Sequence, residues 1–286
     1  MAIDLAKSDP RIVLINGDAF AVYKGMEIGT AVPNSSELEG VDFRLLSFLT
    51  PSQEYSIAEF QSDCNRQIDD CFSNQKIPII VGGSALYVLS VLNGFNVPKL
   101  FPNVRIRLER EIEEMGPTGM YARLLELDPV AASKIHPSNS RRLIRALEVC
   151  IGSDRRFSDY GPGVAQYSPE RQNDIFLVLD QSQDVLDSKI QDRLELQIKS
   201  GFMDEVTKLN KNYTAISKTA KKAIGYDEIL RVIEGEISLE DAKSLIVGRT
   251  KKFSKRQSKW WKRDDRAIFT DPSRSTLEDI KLLLKL

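Results

Sequence analysis

The sequence predicts an α/β fold, a parallel sheet flanked by helices and interrupted by a helical insertion, on three observations. Residues 11–17, RIVLING, form an apolar run that stops at glycine, the pattern of a strand buried on both faces. Residues 77–83, IPIIVGG, repeat that pattern, and between the two runs Ser56-Ile-Ala-Glu59 forms a capping box that opens a helix through about residue 74. Strand, helix, strand is the alternation of a parallel sheet. The third observation is a stretch from about 98 to 172 with helical spacing and no strand-like run.

The remaining elements follow in order. MAIDLAK is a helical fragment ending at Lys7 or Ser8 before Asp9-Pro10. A strand is expected ahead of such a helix, so the chain reads as starting inside it, and the sheet is expected to show a gap or an uncovered edge. In the helix after Ser56, Ile57, Phe60, Cys64, Ile68, Cys71 and Phe72 make one apolar stripe, which casts both cysteines as core filler. The insertion holds VRIRLEREIEEMG, MYARLLELDPVAASKI and SNSRRLIRALEVCIG, followed by a Gly-, Pro-, Ser- and Asp-rich loop from Ser153 to Asn173. IFLVLD at 175–180 and AIFTD at 267–271 read as two more strands, separated by helices that end in SLEDAKSLIVGRTKKFSKRQSKWWKR. Residues 1–97 and 173–286 are thus assigned to a core domain, and 98–172 to a helical insertion.

Composition narrows the function classes. A formal net charge of −1 over 286 residues excludes a wholly basic protein, so nucleic-acid binding must come from local patches. No run of 18 apolar residues suggests a membrane span. Three cysteines without a CxxC pair and one histidine cannot assemble a Cys/His zinc site, and the compartment reads as cytoplasmic. His136, before Pro137 and without an acid in its own segment, reads as structural.

Three constellations carry chemistry. Asn16-Gly17-Asp18 puts an acid just past the carboxyl end of a strand, where open α/β sheets bind ligands. Asp18 is there either a general base, a metal ligand or a turn residue capping the next segment. Gly82-Gly83-Ser84 joins the second strand to a helix, and its hydroxyl suits a phosphate or a helix cap. From Arg249 to Arg266 there are nine Lys/Arg against Asp264 and Asp265, interleaved with Phe253, Trp260 and Trp261. One-sign charge with aromatics fits phosphate contacts and base stacking better than a solvated face, which usually mixes signs. Smaller basic groups sit at Lys218, Lys221 and Lys222, and at Arg141, Arg142 and Arg145.

Together these segments resemble the tRNA dimethylallyltransferase family. DAFAVYKGMEIGTAVP, TPSQEYSIAEF, VGGSALY, DPVAASKIHPSNSRRLIRALEV, AIGYDE and TKKFSKRQSKWWKR match that family's ordered motifs along almost the whole chain. The resemblance implies a P-loop-NTPase-like core and transfer of a dimethylallyl group from dimethylallyl diphosphate to the exocyclic amine of the adenine 3′-adjacent to the anticodon. That amine's lone pair is delocalised into the ring, so it is a poor nucleophile and needs a base. The implied partner is the tRNA anticodon stem-loop, the implied cofactor Mg²⁺, and the protein is expected to be a monomer.

Residue by residue, the resemblance gives Asp18 as the catalytic base and places Asp18, Ala19, Phe20 and Ala21 against the target base. It brings Ser84 and Arg105 to the RNA, and with them Ser140, Arg141, Arg142, Leu143 and Ile144. It adds Lys222, Ala223, Ile224, Gly225, Tyr226 and Asp227, and then Lys255, Arg256, Gln257, Ser258, Lys259, Trp260, Trp261 and Lys262. Lys251 is the implied diphosphate contact.

This chain also departs from the family pattern. No G-x-x-x-x-G-K-[ST] loop occurs in it, which predicts impaired donor binding in a truncated enzyme, with an RNA-binding but catalytically impaired homologue as the alternative. Prenylation of free adenine nucleotides is disfavoured by the match to the tRNA-reading parts. The Ser after the catalytic Asp is Ala19, the acid of L-[LI]-D is Ser47, the Arg of T-R is Lys251 and the Thr before Trp is Lys259.

Overall fold

The computed structural model describes residues 1–161, 174–212 and 216–286. In chain order these form α1 (Ala2–Ser8), β1 (Ile12–Asn16), α2 (Glu27–Thr30), α3 (Ser35–Leu38), β2 (Phe43–Arg44), α4 (Ile57–Ser73), β3 (Ile77–Val81) and α5 (Ala85–Leu92). They continue with α6 (Pro102–Leu127), α7 (Pro129–Ala132), α8 (Ser140–Ser153), β4 (Phe176–Leu179), α9 (Gln183–Lys199), α10 (Phe202–Asn212), α11 (Tyr226–Ile233), α12 (Leu239–Trp261), β5 (Ala267–Thr270) and α13 (Leu277–Leu284).

The chain divides into two compact units, Met1–Leu92 with Arg171–Leu286, and Asn93–Glu170. In the first, β1 pairs in parallel with β2 on one side and with β3 on the other, in the order β2-β1-β3. The two apolar runs are thus neighbours in one parallel sheet, with Asn16 opposite Val81 at the carboxyl end. The strands read at 175–180 and 267–271 pair with each other as a separate parallel ribbon, β4-β5. Among the described residues no strand pairs with the second edge of β3 or of β4. Burying β1 on both faces explains why it carries no polar residue before Asn16. On one face α1 and α13 cover the strands through Leu5, Ala6 and Ile280 against Ile12, Leu14 and Ile79.

The other face carries the main core, built on Tyr23, Phe60, Phe202 and Ile229. Ser56 and Glu59 form the expected capping box at the start of α4. Cys64 and Cys71 are fully buried, but Phe72 is 59% exposed, which corrects the stripe: the last turn of α4 runs past the core. The short α2 is capped from a distance. Its N-cap residue, Met26, has no acceptor side chain, and the buried Glu205 on α10 accepts from Ile28 N (2.8 Å) and Gly29 N (3.0 Å) instead. Gln197 donates to the Ile28 and Gly29 carbonyls, and the Tyr226 hydroxyl donates to Glu205 Oε1 at 2.7 Å.

The second unit is helical throughout its described residues, with a core of Leu108, Met120, Leu124, Leu143 and Leu147. Gly116, at φ 69° and followed by Pro117, breaks α6 in two. Glu148, fully buried, accepts from Phe101 N (2.8 Å) and pairs with Arg105 (3.2 Å) and Arg145 (3.0 Å). His136 Nδ1 lies 2.8 Å from Ser138 Oγ, in the turn before α8, a local structural contact. Of the expected loop Ser153–Asn173, residues 162–173 lie outside those described.

Two predictions follow from this packing. Glu205→Ala strips the Ile28 and Gly29 amides of their acceptor and leaves the Tyr226 hydroxyl only the Met26 carbonyl, and is expected to cost about 2–5 kcal/mol in denaturant unfolding; a loss under about 1 kcal/mol would show that α2 needs no remote cap. Asp128, fully buried at the N-cap of α7, gives the second. Burial pushes its carboxyl up, but the Ala131 and Ser158 amides and the Ser158 hydroxyl, at 2.7–2.9 Å, outweigh burial and hold it below its ordinary value. The stability it contributes is therefore present above the ordinary value of about 3.8 and lost as pH falls through the lowered folded value. Asp128→Asn should flatten the acid limb of the stability–pH curve; an unchanged limb would remove this carboxylate from the acid transition.

Candidate active site

The site begins where two strands end in glycine. Gly17 N donates to Val81 O at 2.8 Å, and a Cβ on Gly82 would lie 2.2 Å from the Gly17 carbonyl carbon. Only glycine lets the two turns touch. Their contact brings Asp18 and Ser84 to one carboxyl edge, where Ala19 N donates to Ser84 Oγ at 3.0 Å.

Asp18 is fixed from both sides. Buried Asn16 accepts from Asp18 N at 2.9 Å and donates to the Asp18 and Leu45 carbonyls. Asp18 Oδ1 accepts from Phe20 N (2.8 Å) and Ala21 N (3.2 Å). The turn-capping reading of Asp18 is thus correct for one oxygen. No described residue hydrogen-bonds Oδ2.

Asp18 lines a cavity of about 680 Å³ whose walls are α9 and α12 and whose lining includes Gly29, Thr30 and Phe202. Leu186, Ile190, Leu194, Ile246 and Phe253 make its apolar surface. Its charged lining is lopsided: Lys189, Arg193, Lys222, Arg249, Lys252 and Arg256 face one carboxylate, that of Asp18. Arg193 is open to the cavity yet crowded by protein, which holds its guanidinium below its ordinary value, with Asp18 acting in the opposite sense. Lys189 Nζ donates to Gln181 Oε1 at 2.8 Å, and Arg256 lies over the Phe253 ring, 5.7 Å from its centroid.

The structure sorts the expected contacts. Asp18, Phe20, Lys222, Ile224, Arg256 and Gln257 line the cavity, as does Gly83 beside Ser84. Ala19 is half-buried, whereas Ala21 is buried. On α12, Lys255 and Lys259 are exposed, as is Lys262 just beyond it, while Ser258 and Trp260 are half-buried. In the second unit Arg141 and Arg142 are exposed, Ser140 is half-buried and Arg105 is paired with Glu109 and Glu148.

Several expectations need correcting. Leu143 and Ile144 belong to their unit's core, so α8 presents its arginines rather than these side chains. Gly225 and Tyr226 are buried, because α11 packs its first turn on α10; Ala223 is buried too but lines the cavity with Lys222 and Ile224, while Asp227 is exposed. Trp261 is buried edge-on against Phe176, with ring centroids 5.4 Å apart. Gln257 Nε2 donates inward to Gly83 O at 2.7 Å. Lys251 pairs with Asp187 at 2.9 Å and is not among the cavity residues, whereas its neighbours Thr250 and Lys252 are.

Arg193 and Lys189 escaped the sequence reading, while Arg249 was read only as part of the basic run and not as a cavity residue. Leu186, Lys189, Ile190, Arg193, Leu194 and Gln197 recur at helical spacing, so a face mixing cations with apolar residues was the available signal. Among the described residues no group of three His, Cys, Asp or Glu is assembled, and one Asp18 oxygen is already occupied by amides. These residues do not fit a protein-built magnesium site, and no step is routed through that ion.

Comparison with known proteins agrees with this geometry. A family model described as IPP transferase matches residues 21–264. A tRNA dimethylallyltransferase from a Nocardioides species is 37% identical over 269 residues, 94% of this chain and 86% of its own. One from Carboxydothermus hydrogenoformans is 38% identical, over 93% and 86%. The crystal structure of the full-length tRNA isopentenylpyrophosphate transferase from Bacillus halodurans superposes with a TM-score of 0.69 at 28% identity, covering 99% of this chain and 89% of that one. A eukaryotic dimethylallyltransferase acting on tRNA superposes with a TM-score of 0.77 at 26% identity, over 96% and 71%. The parallel strands that meet at Asp18 and Ser84, the cation-lined cavity beside them and these matches lead to one conclusion: the chain belongs to the IPP transferase family, that of the tRNA dimethylallyltransferases.

Proposed function

We propose that this protein modifies tRNA, transferring a dimethylallyl group from dimethylallyl diphosphate to the exocyclic amine of the adenine 3′-adjacent to the anticodon. The observation that carries the reading is the lone Asp18 carboxylate, one oxygen tied to amides and the other unengaged, in a cavity otherwise charged by cations. In the reaction the amine nitrogen bonds to the donor's first carbon, the carbon–oxygen bond to diphosphate breaks, and the diphosphate leaves with the electron pair. The amine proton passes to Asp18 Oδ2, which suits a base whose other oxygen is fixed.

Arg193, Lys189 and Lys252 supply positive charge where the leaving diphosphate gathers negative charge, and the apolar wall of Leu186, Ile190 and Leu194 suits the dimethylallyl group. Lys251, held away by Asp187, is replaced in this role by Arg193. The target base must leave its stack, which costs a few kcal/mol and is offset by phosphate contacts elsewhere on the anticodon stem-loop. Lys255, Arg256, Lys259 and Lys262 on the basic helix, with Arg141 and Arg142 in the second unit, provide those contacts. The reaction belongs in the cytoplasm, with the protein as a monomer.

Two measurements test this. In single-turnover prenylation of an anticodon stem-loop, Asp18→Asn should lower the rate about 10²–10⁴-fold and leave RNA affinity largely intact; an active variant would remove Asp18 as the base. Changing Lys255, Arg256 and Lys259 together to Ala should weaken stem-loop binding and reduce its log–log salt slope by about two to three units. An unchanged slope would return this helix face to ordinary solvated charge.

A further inference from the structure

One cavity cation is held by a buried carboxylate. Arg249 sits one turn beyond the buried Ile246 on α12, and its Nη1 pairs with Glu228 Oε1 on α11. Glu228 is itself buried, and its second oxygen accepts from Gly225 N at 3.1 Å, closing the start of α11. The carboxylate therefore cannot follow the arginine outward. The guanidinium remains 43% exposed and lines the cavity. A guanidinium has five N–H donors in a planar fork, and Glu228 is recorded on Nη1 alone, which leaves donors to meet a second anion.

We infer that Arg249 is a phosphate-binding residue of this cavity and that Glu228 is its positioning residue. The inference rests on the proposed tRNA prenylation. Lys251 is turned to Asp187 outside the cavity, whereas Arg249 and Arg256 on the same helix both line it, and of these two Arg249 has its fork fixed by a buried carboxylate. The ligand is a phosphate group presenting two oxygens, which either the donor's diphosphate or an RNA phosphodiester provides.

The test compares Arg249→Ala, Arg249→Lys, Glu228→Gln and the Arg249→Ala/Glu228→Gln double variant. The probes are inorganic diphosphate, by calorimetry, and an anticodon stem-loop across a salt series. Glutamine keeps an acceptor for Gly225 N but can present an amide donor to Arg249, so it releases the arginine without emptying the site. If the donor is the source, Arg249→Ala weakens diphosphate binding about tenfold and leaves the RNA salt slope unchanged. If RNA is the source, the slope falls by about one unit and diphosphate binding stays as it was. In either case Arg249→Lys recovers only part of the loss, Glu228→Gln reproduces most of it, and the double variant is no worse than Arg249→Ala.

Neither probe responding to Arg249→Ala, with wild type binding both, overturns the inference while leaving the prenylation reading intact. Full additivity of the two single changes overturns the positioning role of Glu228. Wild-type protein that binds diphosphate through Arg249 but transfers no prenyl group defeats the reading and not the site; wild type binding neither probe defeats both. If Glu228→Gln fails to fold, the two Arg249 variants, altered at a half-open side chain, still decide the phosphate contact.

Discussion

The contact on which the site depends is backbone against backbone, between Gly17 and Gly82. Parallel strands place their carboxyl ends side by side, but side chains normally keep the following turns apart. Here a Cβ on Gly82 would meet the Gly17 carbonyl carbon at 2.2 Å, and one on Gly17 would press Ile80 Cγ2 at 3.0 Å and Val88 Cγ2 at 3.1 Å. Because neither exists, Ala19 N reaches Ser84 Oγ and Gly17 N reaches Val81 O. Gly83 extends the contact to α12: its missing Cβ makes room for Gln257, whose amide donates to the Gly83 carbonyl. Three glycines thus draw the Asp18 turn, the Ser84 turn and the basic helix together.

What was legible in the sequence was whatever is specified locally. β1 announces itself because a doubly buried strand must be apolar throughout, half-buried β3 because it repeats the apolar run ending in glycine, and α4 and α12 because period and cap residues coincide at Ser56 and Ser238. β2 did not, since two residues held by Leu14 N donating to Asp42 O carry no pattern. Motif resemblance located the right segments but could not say which side chains face inward. Tyr226, Leu143 and Trp261 lie within matched stretches and are all buried. Arg193 was illegible for the converse reason. It reads alone as a solvated helix charge, and only the packing of α9 and α12 turns it, together with Arg249 of the basic run, toward one cavity.

The α2 lining of that cavity shows how distant segments are made to cooperate. Four-residue α2 has too few hydrogen bonds to hold itself, and nothing in its own sequence caps it. Glu205 supplies the cap from α10, Gln197 takes its carbonyls from α9, and Tyr226 joins Glu205 from α11. Burial first, and the Glu205 carboxylate second, push the Tyr226 hydroxyl well above its ordinary value, so it remains a donor. Gly29 completes the arrangement, because a Cβ there would meet Phe202 and Tyr226 at 2.5 Å. The segment that follows Asp18 is therefore positioned by three helices 168 to 200 residues away in sequence.

A cavity with six cations and one acid repels itself, and the protein limits this unevenly. Lys189 is tethered by a neutral amide and Arg256 rests on an aromatic face, arrangements that leave the full charge available to a ligand. Arg193, Lys252 and Arg256 meet no carboxylate within ion-pair distance among the described residues. Arg249 differs, because Glu228 neutralises it before any ligand arrives. A neutralised arginine attracts a distant anion weakly, so it adds little to long-range capture. What it retains is direction: a fork held by a buried carboxylate that is itself fixed to Gly225 N loses less side-chain entropy on binding than a free arginine. Arg193, Lys252 and Arg256 are suited to drawing phosphates in, and Arg249 to fixing where a phosphate comes to rest relative to Asp18 Oδ2.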